Sequence, residues 1–313
     1  MTHFQGPMKT LLGIALLLLI AYLVSYRFRS LLKTSLGINA LVTSGSLFIL
    51  VGIILGSHGA NLLSAQVVRE LTPLVYLGLG WVGFLVGMQF EWRLLKKITR
   101  RLFLLAQLES VVSLSVLFVG CLGLFWLLAQ YMGYAVSHVM TAVLVTSICG
   151  ALSSSLRLRL HGVETQESSA AFQFLEYLVS LHVFIPITAL TLLFSFYHVS
   201  ASGFLQLAGW FWLAAHIVAG GFLGLLLFLL LRPRLTDAER LLLIFGGITF
   251  SAGLAAYLHL SPVVVCFLAG MAFGNLPGLD HEHMHVILKQ AERPIYLMLL
   301  ILAGSVWNFS SPL

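Results

Sequence analysis

Glu176 and His182 stand inside a long apolar run near residues 171–195. A carboxylate in a partly dehydrated cavity binds a proton or a cation, but not both. Burial raises its proton affinity until the two ligands compete. That competition is the chemistry of coupled exchange. A second group, Thr146, Ser147, Gly150, Ser153, Ser154 and Ser155, crowds hydroxyls into one apolar stretch. In an interrupted helix such hydroxyls, with released backbone carbonyls, replace an ion's water shell. In a continuous helix they bond back to their own carbonyls. For Glu176, ion or proton binding and a structural ion pair are both open. For His182, and likewise His216, a helix–helix hydrogen bond is the favoured alternative to ion binding.

The remaining ionisable groups suggest less. Glu109 lies in another apolar run, about two to three turns from Arg100 and Arg101, and suits an ion pair. Asp280, His281, Glu282, His283 and His285 are rich in metal-ligand types, but the segment reads as a solvated loop and not a metal site. Cys121, Cys149 and Cys266 are far apart in apolar segments and read as small core residues. No nucleotide-binding glycine loop, metalloprotease helix or nucleophile–base set is present, so neither an enzyme nor a cofactor is expected.

The elements that must position these residues are membrane helices. The 313 residues are 59% hydrophobic and 9% charged, against about 25% charged in a soluble domain. Apolar runs of spanning length recur near 10–26, 36–56, 71–90, 102–129, 136–156, 171–195, 205–231, 241–259, 261–277 and 294–310. Fifteen of the 17 Lys and Arg fall in loops after odd-numbered spans; Lys9 and Arg69 are the exceptions. Positive-inside topology then puts the N-terminus outside and accounts for the net charge of +6 without nucleic acid. The expectation is an all-α, polytopic inner-membrane protein with a single transmembrane domain over 1–313. Gly52/Gly56, Gly83/Gly87 and Gly220/Gly224 have the spacing at which helix backbones approach closely in lipid.

Six segments, in order, resemble the monovalent cation:proton antiporter superfamily, especially its Kef-type potassium-efflux branch. They are Val51–Gly56; Gly83–Phe90 with Trp92–Leu95; Ala151–Ser155, similar to the "aLSST" of a broken core helix; Ile185-Pro186; Leu260-Ser261-Pro262 through Phe267–Gly270; and Pro294–Gly304. The resemblance implies a sodium–proton antiporter-like fold and exchange of Na⁺ or K⁺ for protons by alternating access, in a homodimer within the bilayer. Resembling proteins have thirteen spans, so this chain is expected to stop about three spans early. The family's ion-binding acid lies five residues before the proline, which here is Leu181. Glu176 is the nearest substitute. The expected ion and proton site is Glu176, Ser153, Ser154, Ser155 and Thr146, with His182 close by. The absent acid also admits a membrane sensor or scaffold that keeps the fold without transport, or an organic-anion symporter on a related fold.

Overall fold

Uncharged apolar runs in a chain with few polar partners must satisfy their backbone groups internally, which favours helices. The computed structural model describes residues 46–56, 59–60, 62–90, 92, 96, 99–132, 143–149, 181–196, 209–231, 236–277 and 281–306. Its helices are α1 (Ser46–Leu55), α2 (Ala65–Glu70), α3 (Thr72–Met88), α4 (Arg100–Met132), α5 (Phe184–Phe196), α6 (Gly209–Leu231), α7 (Asp237–Tyr257), α8 (Pro262–Asn275) and α9 (His281–Val306). Residues 143–149 form a further helical stretch. Among the described residues there is no β-strand, only an isolated bridge between Gly56 and Leu63. Residues Arg100–Leu127 of α4, with α6 and α7, are long and apolar enough to cross a membrane. Shorter apolar helices are α3, α5, α8 and the Pro294–Val306 part of α9. The expected span at 10–26 lies outside the described residues.

Helix α8 is the hub. It packs against α3 and α6, while α1 packs against α9. The main core joins Trp81 and Phe84 of α3 to Leu223 and Leu227 of α6, Ile244 and Ile248 of α7, and Cys266 and Phe273 of α8. All three glycine pairs lie at helix contacts. A Cβ on Gly83 or Gly87 would overlap the Val263 or Phe267 carbonyl oxygen of α8. One on Gly224 would meet Ala269 of the same helix, and one on Gly52 would overlap Ile301 of α9.

The turns are built locally. Thr236 and Glu239 form a reciprocal capping box at the start of α7, satisfying two otherwise orphaned backbone donors. At its end, His259 N–H donates to the Ala256 carbonyl and Leu260 N–H to that of Ala255. This is a Schellman motif, with His259 in the left-handed conformation at φ 58°. It reverses the chain directly into Pro262 and α8.

The His-rich segment at 281–285, which reads from the sequence as a solvated loop ahead of the span near 294–310, is helical. Helix α9 begins at His281 and carries Pro294 in its interior. Its first part is amphipathic: Met284 and Leu288, one turn apart, are buried, as is Ile295 further along. A reading based on continuous apolar runs does not detect a helix held by one stripe.

Candidate functional site

The described part of the 171–195 run contains a break. Residues 181–182 are helical, Val183 is in a turn, and α5 resumes at Phe184. Pro186 is the cause. It has no N–H, so the carbonyl four residues earlier, that of His182, receives no helical hydrogen bond from it. A backbone carbonyl inside an apolar assembly needs a donor, and α4 supplies one. Ser110 Oγ donates to the His182 carbonyl at 2.8 Å, and Gln107 Nε2 donates to the Leu181 carbonyl at 2.8 Å. Gln107 and Ser110 are three residues apart, on one face of α4. Ile187 N–H donates to the Val183 carbonyl at 3.1 Å and restarts the regular pattern.

The surroundings of this break are apolar. Val183 and Ile187 pack with Val86 of α3, Phe90 just beyond its end, and Phe267 of α8. The Phe90 ring lies 6.0 Å from that of Phe184 and 5.4 Å from that of Phe267. Leu181 and the His182 side chain are buried. Glu109, between Gln107 and Ser110 in sequence, has its side chain on the outer face of α4. Asn275 fixes the adjacent end of α3. Its Nδ2 donates to the Phe90 carbonyl at 2.7 Å and its Oδ1 accepts from Trp92 N–H at 2.6 Å.

Of the expected site residues, Glu176, Ser153, Ser154 and Ser155 lie outside the described residues. His182 stands at the break. Thr146 is exposed on the 143–149 stretch. Neighbouring Ser147 is buried and donates to its own helix carbonyl at Val143, 2.6 Å away. Ile148 packs with Leu190 of α5, Val264 of α8 and Leu114 of α4. The stretch carrying Thr146 and the segment carrying His182 thus both adjoin α4 and α8. Gln107 and Ser110 are additional to the expected set. The available signal was a pair of polar residues one helical turn apart within an apolar span.

His216 has the structural role favoured for it. It is fully buried, with Nδ1 2.7 Å from the Trp212 carbonyl and Nε2 3.1 Å from Ser261 N. Nδ1–H donates to the carbonyl, which leaves Nε2 to accept from the backbone. Ser261 is the N-cap of α8, and its own side chain caps nothing. The imidazole therefore supplies from α6 the acceptor that a capping-box glutamate would supply within the helix. His216→Phe leaves this buried N–H unsatisfied, a cost of about 1–3 kcal/mol. The detergent-solubilised variant is expected to unfold several degrees lower, with His216→Gln recovering part of the loss. Equal unfolding temperatures for wild type and His216→Phe would refute this role.

Comparison with known proteins adds one finding. The family model described as sodium/hydrogen exchanger, transmembrane, matches residues 14–302. Among curated proteins, none gives a significant match.

Proposed function

The chain belongs to the sodium/hydrogen exchanger transmembrane family, and from that premise we propose that it exchanges Na⁺ or K⁺ for protons by alternating access. The family lies within the monovalent cation:proton antiporter superfamily, whose members carry cations and protons across membranes. The chain is accordingly an integral membrane protein of transporter type. The finer reading is a Kef-like exchanger in the cell's inner membrane, with its N-terminus outside, one transmembrane domain over 1–313 and a homodimeric assembly. In this reading Glu176 is the coupling acid. Ser153, Ser154, Ser155 and Thr146 line the ion path, and His182 lies beside it.

The observation that carries the proposal is the family match across nearly the whole chain. The proline break at 181–183 supports it, because a carbonyl-bearing interruption inside a helix is the kind of backbone that serves an ion. One observation favours a second reading, a sensor or scaffold that does not transport. Leu181, where the family resemblance expects an acid, buries an apolar side chain, with 2% of its surface exposed.

Proton flux in proteoliposomes decides between them. With an inside-acid gradient and Na⁺, K⁺ or Li⁺ added outside, an exchanger raises the lumenal pH only when its cation is present. The expected result is alkalinisation with Na⁺ or K⁺. A folded, reconstituted sample silent to all three cations would refute exchange and favour the scaffold.

A further inference from the structure

Gln107 does more than cap the break. Its side-chain Nε2 is committed to the Leu181 carbonyl at 2.8 Å, which fixes the amide's orientation. A flipped amide would set two acceptors against each other. The other end of the amide, Oε1, is buried and accepts no hydrogen bond among the described residues. Gln89 Oε1, at the end of α3, is also buried without a partner among the described residues, but no hydrogen bond among them anchors its amide. Gln107 Oε1 is therefore an acceptor held in place, inside an apolar span, beside a backbone interruption.

The neighbouring groups are of the same chemical kind. A carbonyl oxygen has two lone pairs, so the bond from Gln107 does not exhaust that of Leu181. Amide and backbone carbonyl oxygens are neutral and hard. Carbonyl oxygens of this kind replace the water shell of an alkali cation in selectivity filters. A dedicated divalent site uses carboxylates. No carboxylate is needed to bind an alkali cation through neutral oxygens.

We propose that Gln107 Oε1 is a ligand for the transported monovalent cation, set beside the Leu181 carbonyl at the proline break. Ser110 is the positioning residue. It holds the His182 carbonyl and keeps α4 in register with the break, without itself touching the ion. This inference rests on the exchanger reading and adds a cation-selecting residue to it.

The test pairs transport with binding on the full chain. In proteoliposomes, Gln107→Met is expected to raise the cation KM at least tenfold and to alter the ranking of Li⁺, Na⁺ and K⁺. Ser110→Ala is expected to lower the maximal rate while leaving that ranking and KM within about threefold of wild type. Gln107→Glu keeps the side-chain size but replaces the donor facing the Leu181 carbonyl with a charged oxygen, so that a bound cation must bridge the two. It is expected to lower KM at least threefold at alkaline pH, and it tests the proposal even where the Met variant does not fold. A purely structural role for Gln107 would change stability or maximal rate, but not selectivity. If wild type exchanges cations and both Gln107 variants retain its KM and ranking, the proposal fails and the exchanger reading stands.

The binding arm measures the unfolding temperature of purified protein in NaCl, KCl, LiCl and choline chloride. A cation-specific rise in wild type that is lost in Gln107→Met supports the site even in a chain that moves no protons. In that case the exchanger reading alone fails. Absence of both flux and cation-specific stabilisation overturns both.

Discussion

Gly87→Val is expected to abolish accumulation of folded protein. Helices α3 and α8 meet backbone to backbone along one seam, with glycines on both sides. A Cβ on Gly87 would overlap the Phe267 carbonyl oxygen and lie 2.9 Å from Met271 N. One on Gly270 would overlap the Phe84 carbonyl oxygen, and one on Gly274 would lie 3.0 Å from that of Met88. The obstacles are main-chain atoms within helices, which cannot rotate aside as a side chain can. Relief requires the helices to separate around Phe84 and Phe273, which are fully buried. Overpacking ordinarily costs about 1–3 kcal/mol. A rigid seam places this change beyond about 4 kcal/mol. Lipid offers no hydrophobic force to hold parted helices together. The check is the monodisperse peak of the solubilised protein on size exclusion. Gly221→Ala is the control, since among the described residues nothing lies within 4 Å of a Cβ there. A wild-type peak and unfolding temperature for Gly87→Val would show that the seam can open.

These glycines also mark the limit of what the sequence makes legible. Their four-residue spacing announces a close approach, but not its partner. That α8 receives both Gly83/Gly87 and Gly220/Gly224, while α9 receives Gly52, depends on tertiary arrangement. Signals confined to one turn are readable, as in the Thr236–Glu239 box. Bonds between distant elements are not. Ser261 is capped by a residue 45 positions earlier, and Phe90 is held by one 185 positions later. The site divides in the same way. His182 and Pro186 are visible as an ionisable group and a helix breaker in an apolar run. Gln107 and Ser110 are not, because their partners lie 74 and 72 positions away. Glu109 draws attention by its charge, yet its side chain is exposed and its two uncharged neighbours make the bonds. The start of α9 was missed for another reason: Met284 and Leu288 form a narrow buried stripe among polar residues, not a continuous apolar run.

Glu176→Gln is expected to reduce cation-dependent proton movement at least ~100-fold, the scale at which loss of a proton-transferring group is felt. Coupling needs one group that is either protonated or cation-bound, so that carrying one ligand outward commits the site to the other on return. Glutamine preserves the size and an oxygen ligand but never releases a proton at the relevant pH. It can bind a cation and cannot exchange it. The variant is therefore expected to retain cation-specific stabilisation against unfolding while its proton flux is lost. Glu109→Gln is the informative comparison, because that carboxylate is adjacent to Ser110 on α4 while the hydrogen bonds to the break come from Gln107 and Ser110. Its exchange is expected to stay within about threefold of wild type, because a carboxylate that does not carry the coupled proton adds nothing to the transfer step. The reverse result, with Glu109→Gln silent and Glu176→Gln active, would move the coupling acid onto α4, next to Gln107. Cation ligand and proton carrier would then belong to a single helical turn, and the break before Pro186 would be their partner and not the acid's own helix.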